Sequence, residues 1–115
     1  MRKSGQIVLF QFPQTDAAQG KLRPALLLGK LPGPYDDWLM CMISSQLHQS
    51  IADFDEVVDR GDADFARSGL KNPSVIRVGR LAVVEGSILL GALGEIDGKR
   101  LNRIKKNLSN WLTKS

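Results

Sequence analysis

With 115 residues, 43% of them hydrophobic, the chain is long enough for one domain over 1–115 whose core needs neither disulfide nor metal. A single cysteine and a single histidine exclude a disulfide framework and a zinc site, and no apolar run is long enough to span a membrane. The net charge of +4 hides an asymmetry: residues 1–35 hold five basic groups against one acid, residues 36–68 two against eight, and residues 69–115 nine against three. Basic ends that converge in the fold make a surface for a polyanion; from charge alone the alternative is a solvated exterior of mixed sign.

Residues 7–12 are apolar at nearly every position and predict a first strand, buried largely on both faces and ended by Pro13. Gln6 and Gln11 interrupt this start and no small-residue cleavage site follows, so it reads as a strand and not a leader, which predicts a cytoplasmic protein. Residues 14–21 predict a polar loop long enough to move over a site. A second strand is expected over 25–31, stopped by the Pro32, Gly33, Pro34 turn, and a third over 38–44, the two forming a hairpin with Asp36 and Asp37 in its turn. Residues 46–52 are ambiguous. Residues 54–58 alternate and predict an edge strand with its acids turned outward, and 61–67 a loop or short helical turn.

Residues 74–78, 81–84 and 88–93 predict three further short strands, with Gly79, Gly86 and Gly91 as bends or bulges of a strongly curled sheet. Asp97 is placed to cap a helix on which Leu101, Ile104, Leu108, Trp111 and Leu112 share one face. Its opposite face carries Lys99, Arg100, Arg103, Lys106, Asn107 and Asn110 and is expected in solvent. Short strands followed by one amphipathic helix predict an α+β fold, a small curled barrel or sheet with the helix packed against it.

Two segments carry chemistry. Arg23 precedes Pro24, which pushes it toward extended geometry and presents it where a loop turns into an apolar run. A guanidinium stays charged and forks onto phosphate. Ser44 and Ser45 close another apolar run, where a hydroxyl can donate to the phosphoryl oxygen that the arginine holds. Together they point to a phosphodiester. Lys21 adds steering in the loop of Arg23, and Lys71, Arg77 and Arg80 supply cations in and just before the sheet. Histidine is the residue type of a proton shuttle, and His48 lies close to Ser44 in sequence. Trp38 and Trp111 have the faces on which bases stack, although Trp111 falls on the apolar side of the helix and reads as core.

The motifs run in a definite order: G-x-I-V-x-x-x-F-P at 5–13, K-x-R-P-A-L-x-L at 21–28, I-S-S-Q at 43–46, S-G-L-K-x-P-S-V-I-R-V at 68–78, R-L at 80–81 and G-x-I at 94–96. In that order they cover nearly the whole chain, which resembles the MazF/PemK family of toxins from type II toxin–antitoxin systems. The resemblance implies an SH3-like curled barrel with a C-terminal helix and a homodimer. It implies a metal-independent endoribonuclease without cofactor that cuts single-stranded RNA, and an antitoxin that fills the dimer groove. Arg23 then matches the catalytic arginine and Ser44 its hydroxyl partner. Lys21, Ser45, Gln46, Arg77 and Arg80 are candidate RNA contacts, and His48 a candidate acid or base. In such a reaction the 2′-hydroxyl of RNA attacks the adjacent phosphorus, leaving a cyclic phosphate and a free 5′-hydroxyl.

Two positions depart from the family pattern. Gly79 stands where some members carry an acid two residues after the arginine of V-I-R-V, and Gln6 where others carry one in the opening segment. The proton-transfer partner is left unassigned, which points to weak or narrow activity. The alternatives are a non-catalytic module binding RNA or a protein target of the gyrase type, and an interaction module that dimerises through its hairpins.

Overall fold

The computed structural model describes residues 2–11 and 21–115, so Phe12 and all but Lys21 of the polar loop expected over 14–21 lie outside the described residues. β1 (Gln6–Gln11), β2 (Leu22–Lys30), β3 (Asp37–Ser44), β4 (Glu56–Val58), β5 (Ser74–Glu85) and β6 (Ala92–Glu95) form one antiparallel sheet in the order β4-β5-β3-β2-β1-β6. The short helix α1 (Phe65–Ser68) follows β4, and α2 (Gly98–Lys114) follows β6. The α+β class and the terminal amphipathic helix are as the sequence predicts, and the strand expected over 54–58 is the edge strand β4.

β2 begins three residues earlier than the apolar run suggests, so Arg23 and Pro24 lie inside a paired strand, opposite Phe10 and Leu9 of β1. A proline there is tolerated for a local reason. Leu9 spends its backbone N–H on Gly91 and its carbonyl on Leu90, away from β2. Leu9 and Pro24 are therefore a non-hydrogen-bonded pair, and the backbone of Pro24 faces β3, where its missing N–H ends the ladder. The β2–β3 pairing accordingly starts only at Ala25, opposite Met42.

The runs at 74–78 and 81–84 are one strand, not two. The register of β5 against β3 jumps from Leu81 opposite Cys41 to Arg77 opposite Met42, so residues 78–80 bulge between them. A carboxylate satisfies the freed backbone: Asp55 Oδ1 accepts from the Val78 N–H at 2.9 Å while Oδ2 accepts from Ile51 at 3.0 Å. The strand expected over 88–93 does not form, because Gly91 takes a φ of +130° and β6 starts after it. Gly69 (φ +73°) and Gly94 lie where α1 meets β6, and a Cβ on either would collide with the backbone of the other element. Close approach explains both glycines in the S-G-L-K and G-x-I motifs.

The sheet buries side chains on both faces. On one, Ile7, Leu26, Cys41, Ile76 and Val78 are covered by Ile104 and Leu108 of α2. On the other, Val8, Ala25, Leu27, Met40, Val84 and Leu89 form a second cluster. Burial, helped by the nearby Asp55 charge, pushes the Cys41 thiol up to about 12, so this side chain is a small hydrophobe and not a nucleophile.

Asp97 caps α2 as predicted, accepting from the Arg100 N–H at 2.8 Å. Arg100 itself overturns its expected place in solvent. Its side chain is 8% exposed and all five of its N–H groups are used, on Asp64 twice, Asp62, Glu56 and the Val57 carbonyl, at 2.9–3.0 Å. Glu56, expected to point outward from β4, is turned in between Arg100 and Arg103. Trp111 and Leu112 are on the expected side of the helix yet 52% and 58% exposed, and Trp111 sets its ring edge-to-face with Phe54, the centroids 6.4 Å apart. Periodicity gives the apolar side of a helix, not how far the sheet continues beneath it.

The hydrogen bonds from Arg100 hold the Asp64 carboxyl below its usual range, against the burial that works to raise it. Removing one partner of such a buried group strands the other charges, so Arg100→Ala should lose about 3–5 kcal/mol in urea denaturation. A depressed carboxylate adds stability that is complete above its unfolded pKa and lost as pH falls through the folded value, here below about 4. Asp64→Asn should therefore flatten the acid side of the stability–pH profile; an unchanged acid limb would show that Asp64 is not the group responsible.

Candidate functional site

Where β2 begins and β3 ends, three residues singled out in the sequence share one face of the sheet. Arg23 lies two residues before Ala25, which is buried in the second cluster, so alternation turns both to that face. Ser44 lies two residues after Met42, which packs on the same cluster, and Met42 stands opposite Arg77. Arg23, Ser44 and Arg77 thus come from three adjacent strands. Carrying the β2–β3 register two places past Ala25 and Met42 sets Arg23 level with Ser44. Phe10 and Met42 border the group; their spacing marks them as apolar but does not make them neighbours of Arg23.

Among the described residues the ion pairs engage Lys3, Arg100 and Arg103, and neither Arg23 nor Arg77. Arg23 is exposed. Arg77 is half-buried, and its Nε is the one buried side-chain nitrogen or oxygen among the described residues without a hydrogen-bond partner. Burying a donor unpaired costs about 1–3 kcal/mol, and more when it is charged. The terminal nitrogens of Arg77 are engaged by no carboxylate among the described residues and are the atoms left for an anion. Ser44 Oγ accepts from the Gln46 N–H at 3.0 Å, which orients the hydroxyl and leaves its own O–H to donate.

The other sequence candidates sit around this group with less definition. Lys21 is exposed just before β2, and Ser45 and Gln46 are exposed just after β3. His48 is exposed in the 3-10 turn Leu47–Gln49, which packs on β5. Arg80 is exposed in the bulged stretch of β5, beyond the Met42–Arg77 pair, and does not join the group. Trp38 is buried in the second cluster with its Nε1 donating to Asp36, so it presents no face for stacking. Gln6 caps a turn, its Oε1 accepting from the Lys3 N–H at 2.8 Å. A Cβ at Gly79 would lie 3.3 Å from the Phe54 ring, so a side chain there starts beside Phe54. Two guanidinium groups and one donor hydroxyl can hold a phosphoryl group and stabilise charge developing on its oxygens. No carboxylate among the described residues is hydrogen-bonded to any of the three.

A family model described as the PemK-like, MazF-like toxin of type II toxin–antitoxin systems matches residues 3–112. Among solved structures, the chain resembles the Mycobacterium tuberculosis toxin MazF-mt6, at a TM-score of 0.68 and 19% identity over 94% of this chain and 96% of that one. It resembles MazF from Deinococcus radiodurans at 0.68 and 20% identity over 97% and 96%. A mycobacterial endoribonuclease determined in complex with its cognate antitoxin is similar at 0.67 and 14% identity over 98% and 96%. At these identities the likeness is one of fold. No curated protein sequence matches the chain.

Arg77→Met removes the unpaired donor while keeping an unbranched stem, so the variant should be as stable as the parent or more stable by about 1–3 kcal/mol. Millimolar sulfate should raise the melting temperature of the parent and not of the variant. Equal stabilisation of the two by sulfate would count against an anion at Arg77.

Proposed function

The chain belongs to the PemK-like, MazF-like toxin family of type II toxin–antitoxin systems, and from that premise we propose that it is an endoribonuclease cutting single-stranded RNA without a metal. The observation that carries this reading is the pair of arginines, Arg23 and Arg77, free of carboxylates and set on one face with Ser44. RNA supplies its own nucleophile. The 2′-hydroxyl attacks the neighbouring phosphorus and the bond to the 5′-oxygen breaks, giving a cyclic phosphate and a 5′-hydroxyl end. Negative charge builds on the two non-bridging oxygens as phosphorus becomes five-coordinate. Arg23 is assigned to that charge, and Ser44 to a hydrogen bond that holds one oxygen in line. Arginine is a poor base because it stays protonated, so the proton leaving the 2′-hydroxyl goes to another group, for which His48 is the candidate. Arg77 offers its guanidinium to a phosphate oxygen, and Lys21, Ser45, Gln46 and Arg80 are further candidate contacts along the strand.

A homodimer, a cognate antitoxin and a cytoplasmic setting belong to the same reading, supported by family membership and by the antitoxin-bound structural neighbour. A second reading, RNA or protein binding without cleavage, draws on Gly79 beside Phe54 and on Gln6 spent in a turn, each standing where some members of the family carry an acid.

Removing one preorganised stabiliser of this kind costs about 100- to 1,000-fold in rate, so Arg23→Ala should cleave mixed-sequence RNA slower by that factor. Its unfolding curve should match the parent, because Arg23 is exposed. Parent cleavage should persist in EDTA and leave ends that a polynucleotide kinase labels directly. A folded Arg23→Ala protein cutting at the parent rate would sink the assignment, and RNA retained uncut by the parent would favour the binding reading.

A further inference from the structure

β5 changes its pairing on both sides at Arg77. On one side the ladder with β4 ends at Glu56 opposite Ile76, and on the other the register with β3 jumps after Met42 opposite Arg77. Continuing the β4 register by one place sets Asp55 level with Arg77. The side chain of Asp55 reaches across there, its Oδ1 accepting from the Val78 N–H at 2.9 Å. That N–H belongs to the planar peptide joining Arg77 to Val78, so the carboxylate fixes the direction in which the chain leaves Arg77.

The other oxygen of the same carboxylate closes a turn. Oδ2 accepts from the Ile51 N–H at 3.0 Å, while the Ile51 carbonyl accepts from the N–H groups of Phe54 and Asp55 at 3.2 and 2.9 Å. Asp53, inside this turn, takes a φ of +62°, the one positive value among the described non-glycine residues. The turn follows the 3-10 segment Leu47–Gln49, which carries His48 and packs on β5. Its helix side is held separately, by the Asn107 amide donating to the Phe54 carbonyl at 3.0 Å. Asp55 is half-buried and makes no ion pair among the described residues. Both of its oxygens go to backbone N–H groups, so what the carboxylate supplies is the shape of the chain.

We infer that Asp55 is a positioning residue of the candidate site: its carboxylate fixes the Arg77–Val78 peptide against the turn at 51–55 and so sets where the Arg77 guanidinium stands. This role rests on the reading of Arg77 as a phosphate contact, and it gives Asp55 no contact with RNA. Ser44 is oriented by the Gln46 N–H two residues on in its own loop. For Arg77, which stands where the ladder with β4 has ended and the register with β3 breaks, the equivalent hold comes from another segment.

The test is binding of a mixed-sequence 2′-O-methyl RNA oligonucleotide, in which the attacking hydroxyl is blocked, followed by fluorescence anisotropy on the full chain. It reads the same whether or not the chain cuts RNA. Arg77→Met should weaken binding about tenfold, the loss of one charge-assisted contact. Asp55→Ala should weaken it about three- to tenfold with Arg77 still present, and Asp55→Asn, which keeps one acceptor oxygen, by less. In the Arg77→Met background Asp55→Ala should add less than about twofold, because a residue that acts through Arg77 then has nothing to act on. Asn107→Ala frees the same turn from α2 but leaves the Arg77–Val78 peptide held, and should bind like the parent. Melting temperatures confirm folding, and if Asp55→Ala does not fold, Asp55→Asn takes its place in every comparison. The role is overturned if Arg77→Met weakens binding and the Asp55 variants do not, or if the two substitutions add in full. It is overturned equally if Asn107→Ala weakens binding as much as Asp55→Ala, which would make the cause a loosened turn. A parent that binds no RNA, or an Arg77→Met variant that binds like the parent, would instead remove the phosphate contact at Arg77, and the role of Asp55 with it.

Discussion

One guanidinium joins the helix to the rest of the molecule. Arg100 projects from the first turn of α2 and collects Glu56 from β4, the Val57 carbonyl, and Asp62 and Asp64 from the loop before α1. With Arg100 in place, the acidic middle of the chain and its basic end become one body, and Ile104 and Leu108 are set over Ile7, Leu26 and Ile76. A buried charge network is poor evidence of added stability in itself, because desolvation offsets much of the attraction. Its contribution is to geometry: every donor has an acceptor, and another placement of the helix start would strand the buried carboxylates of Asp64 and Glu56.

The same residue type does opposite work across the sheet. Arg100 is fully satisfied and inert. Arg23 and Arg77 carry no carboxylate, and Arg77 keeps a buried Nε with nothing to accept from it. A hydrophobe at position 77 would avoid the cost of that buried donor, whereas a guanidinium free of carboxylates suits an anion. The helix-covered face thus holds the structural charge and the open face the charge left for a ligand.

The strands at 7–11 and 38–44, the edge strand, the Asp97 cap and the side of α2 that carries Ile104 and Leu108 were legible because hydrophobic period and capping chemistry are local signals. Arg23 and Ser44 were legible as chemistry, and the ordered motifs placed them together. What local signals cannot carry is partnership across the chain. Arg100 looks like any other cation on a basic helix until Asp64, thirty-six residues earlier, is brought to it. Glu56 fits the outward phase of an edge strand until a helix packs over that side. The bulge of β5 was visible as Gly79, but only pairing with β3 shows that the strand continues through it, and the half-burial of Arg77 follows from that continuation.

Pro24 has an effect that reaches past its own strand. Without an N–H to give to β3, Pro24 ends the β2–β3 ladder at Ala25, so Arg23 and Ser44 lie just past the last paired residues of that seam. The proline thus acts beyond its own position: it decides where pairing stops, and the two chemistry-bearing side chains sit past that point and not inside a continuous ladder.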